Sequence, residues 1–302
     1  MSIYRDSIQQ LCTVFPQGEA TAMMRIVMEE RFGLSQTDLL LGKDNELSAN
    51  DISELQIIVG RLSKSEPLQY VLGCTDFCNL KIRVAPGVLI PRPETEELVR
   101  WIDESEKDER ERGESEKRER DAGVRAKSEA GEKSRARVLD IGTGSGCIAL
   151  ALASLDFEVE AWDVSQQALS IARSNAEALG LDVKFRMADI LSSDCTTTNN
   201  YDIIVSNPPY ICEKEKSDMD SNVLDHEPHL ALFVPDSDPL LFYRTIARFA
   251  SKTLSKEGLI FFEINRAYAN ETISMLQQVG FCDIELRHDQ FGNARMIKAR
   301  LK

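Results

Sequence analysis

The sequence predicts an α/β protein: a doubly wound, mostly parallel sheet preceded by a small helical domain. Two observations carry that prediction. From Val138 onward, short apolar runs alternate with helix-period segments, the pattern of strands joined by helical crossovers. Residues 1 to about 73 instead hold apolar residues at helical spacing and no strand-like run. Between these regions, residues 103–137 hold 12 acidic and 11 basic side chains among 35, with too few large apolar residues to bury a face of their own. That stretch is either a solvated helix laced with ion pairs or a disordered insertion, and in either form it is expected to be dispensable. The expected organisation is therefore a helical domain (1–73), a connector (74–98), a helix end with the charged insertion (99–137) and an α/β domain (138–302).

In the helical domain, one helix is expected over Ser2–Phe15, stopped by Pro16. A second spans Gly18–Phe32, with Ala22 and Ile26 at helical spacing and Gly33 as its stop. Ser35 can cap a short segment ending at Gly42. A further helix begins near Ser48–Asp51, and Ile52, Leu55, Ile58, Val59 and Leu62 form its stripe. No side chain in this domain suggests catalysis. The period then changes: Phe77, Leu80, Ile82 and Val84, leading to Pro86-Gly87, suggest a short hairpin or extended connector. Pro93 suits the first turn of a helix running through Leu98, Val99, Trp101 and Ile102. Its early acids favour the positive end of the helix dipole.

The α/β region reads in order. Strands are expected at Val138–Ile141, Val159–Trp162, Val183–Met187, Tyr201–Ser206 and Leu259–Glu263. Helices fall at Cys147–Leu155, Gln166–Leu179, Leu240–Leu254 and Tyr268–Val279. Two last strands, Phe281–Leu286 and Ala294–Ala299, should pair antiparallel.

Composition narrows the function classes. With 302 residues and 42% hydrophobic side chains, the chain can bury substantial cores, which excludes a wholly disordered protein. No apolar run approaches the roughly 18–20 residues of a membrane span, and the first residues lack a signal-peptide pattern, so a soluble cytoplasmic protein is expected. The net charge of −14 disfavours a nucleic-acid backbone as partner. Seven scattered cysteines suggest a reducing compartment, and neither Cys74-x-x-x-Cys78 nor His226-x-x-His229 offers enough ligands for a structural metal.

The strongest motif is Val138-Leu139-Asp140-Ile141-Gly142-Thr143-Gly144-Ser145-Gly146, where the first strand of the α/β region turns into its first helix. Gly142, Gly144 and Gly146 let the backbone turn sharply and bring a ligand close to the loop, with Thr143 and Ser145 between them. The pattern is GxGxG rather than the GxGxxG of dinucleotide binders, and no P-loop lysine follows it. A sulfonium nucleoside with an amino-acid tail, which carries no phosphate, suits such a loop. Asp163, 21 residues after Gly142 at the end of the second strand, can accept hydrogen bonds from both ribose hydroxyls. Asp189 and Ile190, after the third strand, could bind and cover an adenine.

The second motif is Ser206-Asn207-Pro208-Pro209-Tyr210, directly after an apolar strand. Two prolines force the chain out of the sheet at its C-terminal edge, where open α/β sheets bind ligands. The Asn207 side-chain oxygen and the Pro208 carbonyl then offer two acceptors to one planar NH₂ group, and Tyr210 offers a flat face. That arrangement suits methylation of an amide or an exocyclic amine.

These residues resemble the class I S-adenosylmethionine-dependent methyltransferases that modify planar nitrogen. More narrowly, the chain is similar to the release factor glutamine methyltransferases of the HemK/PrmC family. The further motifs are Glu66-Pro67-Leu68-Gln69-Tyr70-Val71-Leu72-Gly73, Ile90-Pro91-Arg92-Pro93-Glu94-Thr95-Glu96, Glu227-Pro228 and the ending Asp289-x-x-Gly292-x-x-Arg295. The resemblance implies a Rossmann-like seven-strand sheet, S-adenosyl-L-methionine at Gly142–Gly146, Asp163, Asp189, Ile190 and Asn207, and a substrate amide at Asn207, Pro208, Pro209 and Tyr210. Asn207 and Pro208 would be the catalytic pair. It further implies a helical N-terminal domain that helps hold the protein substrate and, as partner, a class I peptide chain release factor methylated on the glutamine of its GGQ loop; a monomer is expected. Three departures stand out: Leu232–Pro239 and Asn265 replace glycine-rich family positions, and the charged stretch interrupts the connector.

Two competing readings remain at this level. A nucleic-acid amine methyltransferase can also use such a motif on a flipped base. It would want a basic cleft, whereas residues 1–73 carry 10 acids against 6 bases. A non-catalytic cofactor-binding adaptor has no need of the Asn207–Tyr210 motif.

Overall fold

The computed structural model describes residues 2–121, 135–289 and 291–302. The chain forms two compact units: residues 1–75, 84–86 and 218–227 make one, and residues 76–83, 87–217 and 228–302 the other.

The first unit is helical. Helices α1 (Ile3–Leu11), α2 (Gln17–Phe32), α3 (Gln36–Leu40), α4 (Ala49–Leu62) and α5 (Leu68–Leu72) follow one another. Local chemistry sets their starts, since Ser35 with Asp38 and Ser48 with Asp51 form capping boxes on α3 and α4. The face α2 buries is Ala20, Met24, Val27 and Met28, while Ile26 is exposed, so the stripe expected at Ala22 and Ile26 is displaced. Those residues pack with Leu11, Leu55, Ile58, Val59 and Leu62. Arg61 fastens α5 by donating to Glu66 and to the carbonyls of Tyr70 and Val71.

A hairpin of β1 (Cys74–Phe77) and β2 (Leu80–Arg83) follows, its turn made by Cys78 and Asn79, both at positive φ. Helix α6 runs over Pro93–Asp121, so at least the first part of the charged stretch is helical. Ion pairs at i,i+4, Lys107–Asp103 and Arg110–Glu106, line it. Its apolar start, Leu98, Val99, Trp101 and Ile102, is buried, with Trp101 edge-on to Phe261 at 5.6 Å. The remainder of the stretch, residues 122–134, lies outside the described residues.

The sheet of the second unit is built by β3 (Arg137–Ile141), α7 (Cys147–Ser154), β4 (Glu158–Asp163), α8 (Gln166–Leu179), β5 (Val183–Met187) and β6 (Tyr201–Ser206). After β6 come the short pieces β7 (Ile211–Cys212), α9 (Ser221–His226), α10 (His229–Leu232) and β8 (Phe233–Val234), none of which the sequence pattern announces; α9 belongs to the helical unit. Then α11 (Leu241–Thr253), β9 (Leu254–Glu263), α12 (Ala269–Val279), β10 (Phe281–His288) and β11 (Ala294–Leu301) close the chain. The seven strands lie in the order β10-β11-β9-β6-β3-β4-β5. All neighbours along β9-β6-β3-β4-β5 are parallel, while β11 runs antiparallel to both β9 and β10. The direction of winding reverses between β3 and β6, which makes their C-terminal ends the ligand-binding position of a doubly wound sheet. No helix among the described residues is long and apolar enough to cross a membrane.

Candidate active site

The two strands at the switch point end together. Ile141 of β3 pairs with Ser206 of β6, and the Ser206 hydroxyl donates to the Ile141 carbonyl at 2.6 Å. The glycine loop and Asn207-Pro208-Pro209-Tyr210 therefore leave the sheet side by side.

The loop is held by its own amides. Gly142 and Thr143 N–H donate to the Trp162 carbonyl at 2.8 and 3.0 Å, Gly144 N–H to Asp163 Oδ2 at 2.8 Å, and Gly146 N–H to the Thr143 carbonyl at 2.8 Å. These four amides are therefore spent on the fold. An anion nest of the phosphate-binding kind is absent from them. What the glycines supply is shape: Gly142 and Gly144 have positive φ, and open space surrounds the place a Cβ would occupy.

Two buried oxygens, Asp140 Oδ1 near the end of β3 and Ser145 Oγ in the loop, lack a protein partner. The other carboxylate oxygen of Asp140 accepts from the Thr143 hydroxyl at 2.6 Å. Full burial, opposed by that hydroxyl and reinforced by the charge of Asp163, pushes the Asp140 carboxyl up to about 7. Sequence reasoning passed over Asp140 because an acid inside a buried strand has no period of its own.

Asp163 ends β4. Its Oδ1 accepts from Ser165 N–H at 2.8 Å and its Oδ2 from Gly144 N–H. Burial raises its pKa, against the pull of these two amides. Each carboxylate oxygen keeps a further lone pair for a donor such as a hydroxyl. Asp163 pairs with Met187 on β5, and Ala188 N–H donates to the Asp163 carbonyl, which brings Asp189 and Ile190 to the adjacent strand end. Asp189 is exposed and caps its own turn through Leu191 N–H, while Ile190 is half-buried against the core.

On the β6 side, Asn207 Nδ2 donates to Thr95 Oγ1 at 3.3 Å. Thr95 donates its hydroxyl to Glu263 Oε2 at 2.7 Å, and the Tyr210 hydroxyl donates to Glu263 Oε1 at 3.1 Å. Glu263 is fully buried at the end of β9; burial raises its pKa, opposed first by the Thr95 hydroxyl and then by the Arg295 guanidinium. Arg295 Nε in turn lies 3.3 Å from Asp289 Oδ2, and Asp289 accepts from the backbone of Phe291 and Asn293. Asn265 stands where a glycine was expected. Its Nδ2 donates to the Tyr210 carbonyl at 3.0 Å and to Glu215 Oε2 at 3.0 Å, so the amide secures the exit from the double proline. The second departure, Leu232–Pro239, pairs β8 with β7 immediately after the motif. Neither Asn207 Oδ1 nor the Pro208 carbonyl has a partner among the described residues. Pro208 is buried, and Asn207, Pro209 and Tyr210 are half-exposed.

With this geometry in hand, the chain can be set beside known proteins. The family model described as PrmC N-terminal domain matches residues 9–73, and that described as Methyltransferase small domain matches residues 117–227. The release factor glutamine methyltransferase of Bacteroides thetaiotaomicron is 44% identical over 293 residues, covering 96% of each chain. That of Flavobacterium psychrophilum is 38% identical over 297 residues, covering 98% of this chain and 96% of the other. The chain belongs to the release factor glutamine methyltransferase family. Among solved structures, a ribosomal protein L11 methylase from Lactobacillus delbrueckii subsp. bulgaricus is similar at 18% identity and a TM-score of 0.45, over 73% of this chain and 84% of that one. The Thr95, Glu263 and Asp289 contacts of this family member link segments up to 168 residues apart, and no spacing rule would have joined them.

Proposed function

We propose that this protein transfers a methyl group from S-adenosyl-L-methionine to the side-chain amide of the GGQ glutamine of class I peptide chain release factors. The observation that carries the reading is the pair of open acceptors, Asn207 Oδ1 and the Pro208 carbonyl, set beside the glycine loop at the switch point. Two acceptors match the two hydrogens of one primary amide.

The residues fit the methyl donor. The glycine loop leaves open space and lacks free anion-binding amides at four positions, and two buried oxygens, Ser145 Oγ in the loop and Asp140 Oδ1 on β3, have no protein partner. Gly142, Thr143, Gly144, Ser145 and Gly146 would hold its amino-acid part, Asp163 its ribose, Asp189 and Ile190 its adenine, and Asn207 the side nearest the methyl. When bound, it supplies an electrophilic methyl on sulfur.

The chain's own part is positioning. Asn207 and Pro208 accept the two amide hydrogens and align the nitrogen for in-line attack, while Pro209 and Tyr210 bound the pocket. As the nitrogen gains charge, both acceptors hold its hydrogens more tightly, which favours the transition state over the ground state. The proton then leaves to water. We assign residues 1–73 to holding the protein substrate, 74–98 to the connector and 138–302 to methyl transfer. The enzyme acts as a cytoplasmic monomer on a protein and not on nucleic acid or at a membrane.

The test is incubation of the pure protein with labelled S-adenosylmethionine and either a class I release factor or duplex DNA. Label should enter the release factor alone and vanish when its GGQ glutamine is replaced. Label in DNA would favour the amine methyltransferase reading instead.

A further inference from the structure

We infer that Thr95 and Glu263 are positioning residues that set which end of the Asn207 amide faces the substrate, and thereby make the site select an amide over a carboxylate. The inference rests on the amide-clamp reading and deepens it. A side-chain amide can be turned end for end at almost no cost in shape, so something must choose between its oxygen and its NH₂. Only one orientation works for a glutamine NH₂, which needs acceptors.

The direction is dictated from Glu263. An ionised carboxylate accepts and cannot donate. The hydroxyls of Thr95 and Tyr210, 2.7 and 3.1 Å from its two oxygens, must therefore both spend their proton on it. Thr95 Oγ1 is then left only as an acceptor toward Asn207. The Asn207 NH₂ turns to it at 3.3 Å, the loosest link of the chain, and Oδ1 is presented on the other side. Glu263 and Thr95 are buried, 2% and 3% exposed, so water does not offer an alternative donor. Burial raises the Glu263 carboxyl and Arg295, itself engaged by Asp289, opposes that rise, while both hydroxyls donate to its oxygens. The fixed polarity also excludes the acid analogue: a glutamate side chain would bring a negative carboxylate against Asn207 Oδ1 and the Pro208 carbonyl.

The experiment measures single-turnover methyl transfer to a class I release factor by the full chain. Variants are Thr95→Val, Thr95→Ser, Glu263→Gln and, as a control on the clamp itself, Asn207→Ala. A release factor whose reactive glutamine is replaced by glutamate serves as competitor. Loss of one ordering hydrogen bond should slow Thr95→Val about tenfold, with cofactor affinity by calorimetry unchanged. Thr95→Ser, which keeps the hydroxyl, should stay within about twofold of the parent. In Thr95→Val and Glu263→Gln the freed Asn207 amide can turn, so the glutamate-bearing competitor should bind several-fold more tightly. Damage to the fold alone would not produce that gain. If Asn207→Ala is inactive while Thr95→Val keeps the parental rate, or slows with no change in competitor binding, the inference is overturned and the clamp stands. If Asn207→Ala itself keeps the parental rate, the clamp reading and this inference fall together.

Discussion

The backbone N–H of Gly144 donates to Oδ2 of Asp163 across 2.8 Å, so the centre of the glycine loop on β3 is tied to the tip of β4. Asp163 thus has two tasks, shaping the loop and, as we propose, receiving the ribose hydroxyls. Asp163→Asn keeps the volume but turns one acceptor oxygen into a donor. Either Gly144 or Ser165 N–H then loses its acceptor, and the ribose loses a charged one. Affinity for S-adenosylmethionine should fall roughly 10²-fold, the scale of charge-assisted hydrogen bonds. Calorimetry measures it, and unchanged affinity would remove Asp163 from the cofactor site.

Asp140 makes folding stability depend on pH. Its carboxyl titrates at an ordinary 3.8 when unfolded and near 7 when buried in β3. The native state therefore holds this proton more tightly than the unfolded state does. The contribution of Asp140 is most favourable below about pH 4, falls as pH rises through the interval to 7, and is level above it, a swing on the order of 4 kcal/mol. Asp140→Asn removes the titration. The stability difference between variant and parent should shift in the variant's favour between pH 5 and 8 in urea melts. A pH-independent difference would show that Asp140 is ionised throughout.

The charged helix is structural at its start. Ser105 is buried, Glu104 pairs with Arg287 at 2.9 Å, and Glu109 pairs with Arg300 at 2.5 Å. Arg287 also lies over the Trp101 ring at 4.4 Å. Replacing residues 113–134 with a Gly/Ser stretch of equal length should leave methyl transfer unchanged and the thermal midpoint within a few degrees of the parent. Extending the replacement back to 103 should cost roughly 1–3 kcal/mol, because it strips partners from Arg300 and uncovers the edge of Trp101. Equal melting of the two versions would contradict that division.

Asn207→Ala removes one of the two proposed acceptors and should cut turnover by roughly 10²-fold or more, with cofactor affinity little changed. Asn265→Ala is a milder test of the same region. It releases the Tyr210 carbonyl without touching the acceptors, so turnover should fall by about tenfold or less, the worth of one hydrogen bond. A larger loss in Asn265→Ala than in Asn207→Ala would place the decisive contact elsewhere.

Much of the fold was legible because its signals are local. Ser165 caps α8 and Gly180 stops it in the left-handed region, so Gln166–Leu179 could be read from a few neighbouring residues. The strand ends carrying Asp163 and Asn207 were legible for the same reason. Charge gave no decision on residues 103–121: a helix held by its own ion pairs and a solvated coil have the same composition. The α2 stripe was misplaced because Ala20 and Ala22, or Met23 and Met24, are equivalent in polarity, and only the neighbours of α2 choose between them. Glu263 and Thr95 escaped notice because their meaning lies in each other. An acid closing an apolar strand reads alone as a strand end.

The pairing of Ile141 with Ser206 has a metric consequence. Adjacent strands in a sheet stand about 4.8 Å apart, a pitch imposed by backbone hydrogen bonding and independent of side chains. The loop to which we assign the methyl donor and the motif to which we assign the amide begin one such pitch from each other. Their separation is thus gauged by the sheet, and loops such as Leu232–Pro239 can change in sequence while the ends of β3 and β6 keep the same interval.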